Sequence, residues 1–152
     1  MNSPLVSIII PTYNRAHLIG ETLDSVLAQT YTNWECIVVD DGSADGTDKL
    51  LATYCEKDAR FQYHNRPSNR LKGANACRNI GFELSKGEYV NWLDSDDIWS
   101  RNKIEEQIKI LIVSDSDIVT CKWGRFEKDV CDAFICENEP YYKNYNKALN
   151  LL

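Results

Sequence analysis

Short apolar runs alternate with longer segments of helical periodicity along most of the chain. Uninterrupted apolar runs bounded by turn residues predict buried strands, and apolar positions that repeat every three to four residues predict helices with one buried face. The predicted strands cover residues 6–10, 36–39, 61–64, 89–93 and 118–123. The first predicted helix is capped by Asn14, and three more cover residues 47–55, 74–85 and 101–113.

Three of these helices have a defined apolar face, which we expect to point inward. Its positions are Ile19, Leu23, Val26 and Leu27 in the first helix, Cys77, Ile80, Gly81 and Leu84 in the third, and Ile104, Ile108, Leu111 and Ile112 in the fourth. Alternating strands and helices with continuous apolar strands predict an α/β fold, a three-layer α/β/α sandwich around a mainly parallel sheet. We expect the core to span residues 1–123, and the aperiodic residues 124–152 to form an irregular tail.

Acidic residues follow two of the predicted strands. Asp40 and Asp41 come after the second strand, and Asp94, Asp96 and Asp97 come after the fourth. The carboxyl ends of parallel strands lie at one edge of a sheet, so we expect both clusters on one rim. Like charges about 4 Å apart repel by roughly 4 kcal/mol at an effective dielectric near 20. Such a cluster is therefore solvated, protonated or bound to a cation. Of these three, a bound divalent metal is the one that would point to a functional site.

Other polar groups are expected near the same rim. The first predicted strand ends with Pro11, Thr12, Tyr13, Asn14 and Arg15. This segment offers an aromatic face for a planar base beside Asp41, although Pro11 could simply end the strand and Asn14 simply cap the helix. Lys72 and Arg78 are candidates for contact with phosphate. The alternatives are a solvated loop lysine and an arginine that braces its helix against an acidic neighbour.

Four segments, taken in order, resemble family 2 glycosyltransferases of the GT-A fold, which is Rossmann-like. They are residues 6–15, 38–43, 72–81 and 87–99, and the resemblance extends from about residue 6 to residue 123. It implies that Pro11 and Tyr13 flank the nucleotide base and that Asp41 accepts a hydrogen bond from a uracil-type imide. It also implies that Asp94 and Ser95 lie by the ribose and diphosphate.

The resemblance further implies a metal site, with Asp96 as the direct ligand of Mg²⁺ or Mn²⁺ and Asp94 beside it. Oxygen ligands suit these hard cations. An acidic rim also cannot hold a nucleoside diphosphate unless a cation lies between the two negative partners. The whole predicted nucleotide-sugar site consists of Pro11, Thr12, Tyr13, Asn14, Asp41, Lys72, Arg78, Asp94 and Ser95.

Composition and the apolar pattern limit the possible binding partners and the cellular location of the protein. A net charge of -6, from 17 basic and 23 acidic residues, argues against nucleic acid as a partner. No apolar stretch approaches the roughly 20 residues that span a bilayer, which leaves peripheral membrane contact open. The start of the chain does not resemble a signal peptide, so we expect a cytoplasmic protein, at the inner face of the membrane if it is bound there. Six cysteines without a CxxC pair are interpreted as reduced core residues.

The sequence therefore predicts a metal-dependent glycosyltransferase that transfers a sugar from a nucleoside-diphosphate donor, with a UDP-sugar favoured, to a glycan or lipid-linked acceptor. The resemblance implies inversion at the anomeric carbon and a role in bacterial polysaccharide or surface glycan synthesis. No residue is predicted as the catalytic base, because nothing after Trp123 matches the later motifs. The tail would then be the start of a truncated acceptor-side region, and a dimer remains open.

Two alternatives come from other classes. The chain could be a truncated nucleotide-sugar-binding module without turnover. A phosphotransfer domain with clustered aspartates is the other alternative, but an aspartyl-phosphate phosphatase would need threonine where this chain has Ile98. A receiver domain would place its acidic pair after the first strand, whereas here the pair follows the second.

Overall fold

The computed structural model describes residues 3–114, 116–122, 124–125 and 134–135. The strands among these residues are β1 (Val6–Thr12), β2 (Trp34–Asp40), β3 (Phe61–Asn65), β4 (Tyr89–Trp92), β5 (Gly124–Arg125) and β6 (Phe134–Ile135). The helices are α1 (Ile19–Leu27), α2 (Thr47–Lys57), α3 (Ala74–Leu84) and α4 (Lys103–Ser114). The chain divides into two compact units, residues 1–108 and 109–152, and the division falls within α4.

Four parallel strands form the sheet of the first unit, in the order β3-β2-β1-β4. Ile9 of β1 pairs with Ile37 of β2 on one side and with Trp92 of β4 on the other. Every residue of β1 and β2 is buried, as expected for inner strands that are covered on both faces. In the second unit, β5 and β6 pair antiparallel.

Helix α3 covers one face of the sheet. Cys77 and Ile80 form a buried apolar cluster with Ile37 of β2. A Cβ atom added to Gly81 would lie 2.3 Å from Cγ2 of Ile9 in β1, far inside van der Waals contact. Glycine at this position therefore lets the helix approach the central strand more closely than any side chain would allow.

Helices α1 and α2 lie on the opposite face. The rings of Tyr54 in α2 and Phe61 in β3 meet edge-on, with centroids 5.6 Å apart. Phe61 pairs with Cys36 of β2, and the next residue of that strand, Ile37, packs against α3. Because successive side chains of a strand point to opposite faces, Phe61 lies on the face away from α3. The Tyr54 hydroxyl donates to Asp24 of α1 at 2.7 Å, which joins the two helices. The predicted three-layer α/β/α architecture is confirmed.

Some details of the sequence interpretation are wrong. Leu27, Leu84 and Ile112 were expected inward but are exposed, because each lies in the last turn of its helix, beyond the end of the buried stripe. Helix α4 begins at Lys103, two residues later than predicted. The predicted strand at residues 118–123 is absent from its described residues, 118–122. A β-branched run forms a strand only where it finds a partner, and Ile118 is exposed.

The cysteines only partly match the expected core role. Cys36 and Cys77 are buried, but Cys55 is half-buried and Cys121 is exposed, and positions 131 and 136 lie outside the described residues. All four described cysteines are free thiols. Burial raises the pKa of Cys77 to about 11, so this thiol stays protonated at neutral pH. Within the described ranges, no helix has the length and apolar character needed to cross a membrane.

Candidate functional site

The carboxyl ends of β2, β1 and β4 lie side by side at one edge of the sheet. The strand order reverses direction at β1: the chain continues to β2 and β3 on one side of it and returns to β4 on the other. In open α/β sheets, ligands bind in the crevice outside the carboxyl ends of the strands at such a point. A ligand site is therefore expected in the loops after these three strands.

The loop after β1 is joined to the loop after β2 by reciprocal hydrogen bonds. The backbone N–H of Asn14 donates to Ser43 Oγ at 2.8 Å, and its Oδ1 accepts from the Ala44 N–H at 2.9 Å. Asn14 has a φ of 52°, a left-handed conformation that asparagine tolerates better than most residues. The expected helix cap is wrong, since α1 begins after Leu18 without a side-chain cap. Asn14 instead sets the course of the loop.

Two further contacts strengthen this junction between loops. Thr47 Oγ1 accepts from the Arg15 N–H at 3.1 Å, and the Asp45 carboxylate accepts from the Ala16 N–H at 2.9 Å. Thr47 in turn donates its hydroxyl to Asp45 at 2.6 Å. These hydrogen bonds, led by that of the Thr47 hydroxyl, lower the pKa of Asp45. The backbone at Arg15 is thus fixed, while its side chain extends from a defined point.

The two aspartates after β2 have different roles. Asp40 is buried, and its Oδ1 accepts from the Gly42 and Ser43 N–H groups at 3.0 and 2.8 Å. Its Oδ2 accepts from the Tyr63 hydroxyl at 2.9 Å, and burial followed by this contact raises the pKa of Tyr63. Asp40 therefore shapes the turn. Of this pair, it is Asp41 that lines the cleft.

Asp41 is held by two donors from the loop before α3. Oδ1 accepts from Nε of Arg66, and Oδ2 accepts from the Gly73 N–H at 2.8 Å. The side chains of Arg66 and Asp41 are only 8% and 14% exposed, so this ion pair is largely shielded from water. Arg66 was missed because it stands in a polar stretch without periodicity, where nothing in the sequence indicates burial.

Two arginines pair with two of the three carboxylates after β4. Arg78 donates to Asp94 at 2.5 Å and also to Asn75, while Arg15 lies 3.5 Å from Asp96. The pKa of the neighbouring Asp97 is raised, first by burial and then by repulsion from Asp94 and Asp96. The two arginines therefore offset part of the repulsion that the sequence predicts for this cluster.

These loops enclose one cleft of about 530 Å³, within the size range of small-molecule sites. It is lined by Pro11, Thr12, Tyr13, Asn14, Arg15, Asp41, Ala74, Arg78, Asp94, Ser95 and Asp96. All of the residues predicted for the site line this cleft except Lys72, which is exposed in the loop before α3. Arg15 and Ala74 are additions. The position of Arg15 beside Tyr13 and Asn14 was a usable signal, whereas nothing in the sequence marked Ala74.

The donor atoms in the cleft suit a hard divalent cation. Asp94, Ser95 and Asp96 offer carboxylate and hydroxyl oxygens, the ligands that Mg²⁺ and Mn²⁺ prefer. Among the described residues, no group of three or more His, Cys, Asp or Glu side chains is arranged to hold a metal. Mg²⁺ is usually bound by one or two carboxylates together with substrate phosphates. The residues therefore fit a cation that takes some of its ligands from the protein and the others from a bound nucleotide.

Solved structures resemble this chain closely. Staphylococcus aureus TarS 1–349 in complex with UDP-GlcNAc has a TM-score of 0.68 and 30% identity, over 74% of this chain and 32% of that one. The mannosyltransferase PcManGT from Pyrobaculum calidifontis, in complex with GDP-Man and Mn²⁺, has a TM-score of 0.65 and 32% identity, over 73% and 33%. The fold is that of the GT-A glycosyltransferases, as the sequence predicted.

The sequence model of glycosyl transferase family 2 matches residues 7–150, and the chain belongs to this family. An uncharacterized glycosyltransferase of Rickettsia typhi is 47% identical over 98% of this chain and 46% of its own length. The UDP-Glc:alpha-D-GlcNAc-diphosphoundecaprenol beta-1,3-glucosyltransferase WfgD of Escherichia coli is 35% identical over 98% and 56%. The chain thus spans about half the length of these relatives.

Proposed function

We propose that this chain is the donor-binding part of a glycosyltransferase that moves a sugar from a nucleoside-diphosphate donor to an acceptor hydroxyl. One observation carries the proposal: Asp41 and Asp96, which follow different strands, line the same cleft beside Tyr13. Membership of glycosyl transferase family 2 supports the reaction class. The same membership argues against the alternative of a phosphotransfer domain.

We assign the donor site to the residues that the sequence predicted and that line the cleft. Pro11 and Tyr13 flank the base, Asp41 accepts a hydrogen bond from it, and Thr12 and Asn14 lie beside it. Asp94 and Ser95 lie by the ribose and diphosphate, and Arg78 contacts the phosphate. Thr12 lines the cleft, and its Oγ1 is buried without a hydrogen-bond partner among the described residues. Lys72 remains a predicted phosphate contact outside the cleft.

The proposed cofactor is Mg²⁺ or Mn²⁺, held by Asp96 with Asp94 as the second candidate. A cation bound there would neutralise the charge that develops on the departing diphosphate. The mannosyltransferase PcManGT, which was solved with GDP-Man and Mn²⁺, supports this choice of metal. A UDP-sugar is the favoured donor, since the TarS structure contains UDP-GlcNAc and the E. coli relative is named for UDP-Glc.

The proposed reaction inverts the anomeric centre. An acceptor hydroxyl attacks the anomeric carbon, a carboxylate removes its proton, and the nucleoside diphosphate leaves from the opposite face. We name no catalytic base. The carboxylates after residue 123, at positions 127, 129, 132, 137 and 139, lie outside the described residues. The predicted boundary between a core at 1–123 and an acceptor-side segment from 124 stays a proposal.

The biological setting is proposed from the relatives. The E. coli relative is named for a sugar linked to diphosphoundecaprenol, which supports a glycan or lipid-linked acceptor and a role in bacterial polysaccharide or surface glycan synthesis. Such an acceptor would bring the protein to the inner face of the cytoplasmic membrane by peripheral contact. A dimer is compatible with this arrangement, and nucleic acid is not a proposed partner.

A second candidate is a nucleotide-sugar-binding module without turnover. The observation that favours it is length, because the chain covers only 46% and 56% of the two relatives described above. If acceptor binding and the catalytic base require the rest of such a protein, this chain would bind its donor and release little sugar.

Calorimetry with UDP, GDP and dTDP, each with Mn²⁺ or with EDTA, tests the donor site, and a donor-hydrolysis assay tests turnover. We expect UDP to bind at least about tenfold more tightly with Mn²⁺, a difference of about 1.4 kcal/mol. Asp96→Ala should remove most of this metal-dependent gain. Glu56→Gln serves as the control, since Glu56 is an exposed acid of α2 away from the cleft.

The outcomes separate the candidates. Binding together with sugar release supports the transferase, and binding without release supports the module. If no nucleoside diphosphate binds under either condition, both proposals fail. Equal binding with Mn²⁺ and EDTA would leave the donor site intact and refute the metal.

A further inference from the structure

Arg15 and Arg78 pair with the two candidate metal ligands in different ways. Arg78 is fixed, because it contacts Asp94 at 2.5 Å and Asn75 Oδ1 at 2.9 Å. Arg15 approaches Asp96 only to 3.5 Å, beyond the 2.7–2.9 Å typical of a charge-assisted hydrogen bond. The Asp96 pair is therefore the looser of the two and the easier one to open.

The backbone of Arg15 is anchored while its side chain can move. Its N–H is held by Thr47 Oγ1 at 3.1 Å, within the junction between the loops after β1 and β2. The Arg15 and Asp96 side chains are 40% and 46% exposed, so neither is confined by packing. The guanidinium can thus swing within the cleft without any change in the fold.

A cation and Arg15 compete for the same carboxylate. If Asp96 binds a divalent ion, two positive groups would face one another across a single carboxylate, and their repulsion favours movement of the mobile one. A diphosphate bound to that ion offers new oxygens in the same cleft. Guanidinium binds phosphate well because its donors form a planar fork.

We propose that Arg15 exchanges partners during donor binding: it pairs with Asp96 in the ligand-free cleft and moves to the diphosphate when a divalent cation takes the Asp96 carboxylate. This inference rests on the proposed function, since it requires a cation and a diphosphate in this cleft. Arg15 then lowers the affinity for metal alone and raises the affinity for the nucleotide. The site thereby favours the cation and nucleotide together over the cation by itself.

Arg15→Gln tests the exchange through two affinities that should change in opposite directions. Mn²⁺ binding without nucleotide is measured by electron paramagnetic resonance of the free ion, and UDP binding is then measured by calorimetry at saturating Mn²⁺. We expect Mn²⁺ alone to bind about two- to fivefold more tightly, the range for an exposed ion pair. UDP should bind about tenfold more weakly, because a hydrogen bond between charged groups is lost.

Two further variants control for charge. Arg70→Gln also removes an arginine, one that pairs with Glu83 outside the cleft, and should leave both affinities unchanged. Arg15→Lys keeps the charge without the planar fork. It should return Mn²⁺ binding to nearly the wild-type value and restore UDP binding only in part.

A purely structural role for Arg15 would weaken both affinities together, and that result refutes the exchange. Unchanged UDP binding in Arg15→Gln would also refute it, as would Mn²⁺ binding no tighter than in the wild type. The wild-type titrations distinguish this failure from failure of the proposed function. If the wild-type chain binds UDP only with Mn²⁺, the function stands even when the exchange does not.

Discussion

The ion pair between Arg66 and Asp41 connects the stability of the fold to the candidate site. Arg66 donates Nε to Asp41, and its Nη1 donates to the carbonyl oxygens of Pro67 and Arg70 at 2.9 and 2.7 Å. One side chain thus organises the start of the loop before α3 and holds the carboxylate that faces the cleft. Arg66→Ala would remove all of these contacts at once.

The expected cost follows from the burial of the pair. Removing one partner of a fully buried ion pair costs about 3–5 kcal/mol, because the other charge is left without compensation. Arg66 and Asp41 are 8% and 14% exposed, and Asp41 keeps its hydrogen bond from the Gly73 N–H. We therefore expect Arg66→Ala to lower the free energy of unfolding by about 2–4 kcal/mol, a large part of the 5–15 kcal/mol typical of a domain.

Urea unfolding followed by tryptophan fluorescence measures this change, since the buried Trp34 reports on the core. Arg70→Ala is the matched control from the same loop. Its pair with Glu83 is 40% and 54% exposed, so the loss should be at most about 1 kcal/mol. A double-mutant cycle of Arg66→Met and Asp41→Asn should give a coupling of about 1.5–3 kcal/mol. If Arg66→Ala costs no more than Arg70→Ala, the pair is solvated and the reasoning is wrong.

Two backbone predictions accompany this one. Gly81→Ala should destabilise the fold by about 1–3 kcal/mol, because the new Cβ would lie 2.3 Å from Ile9. Gly20→Ala, where the nearest atom is 3.8 Å away, should stabilise α1 by about 0.5–1 kcal/mol, and equal melting temperatures for the two variants would contradict the packing argument. Asn14→Ala should cost about 1–2 kcal/mol through its left-handed backbone and the lost contact with Ala44, and Asn14→Gly should cost less. Thermal unfolding that ranks glycine below alanine here would show that backbone strain is not the main term.

Local pattern sufficed for the four strands of the parallel sheet and for the rim, but not for the strand expected at residues 118–123. The apolar runs that became β1 and β2 are buried and central, as local periodicity predicts, whereas the run that became β4 lies at an edge of the four-stranded sheet and is half-buried. Parallel order then required that Asp41 and Asp94 follow strands ending at one edge, and both line one cleft. These conclusions needed only the spacing of residues and the geometry of a parallel sheet.

The roles of individual side chains were decided by tertiary structure. Asp40 and Asp41 are adjacent and chemically identical, yet one is buried under a turn and the other faces the cleft. The partners of Asp41 and Asp96 are Arg66 and Arg15, which come from loops of no recognisable period. Contacts between residues far apart in sequence depend on the angles at which loops leave their strands, and periodicity carries no information about those angles. The sequence by itself therefore determined which edge of the sheet bears the candidate site, and the folded chain determined which charges meet there.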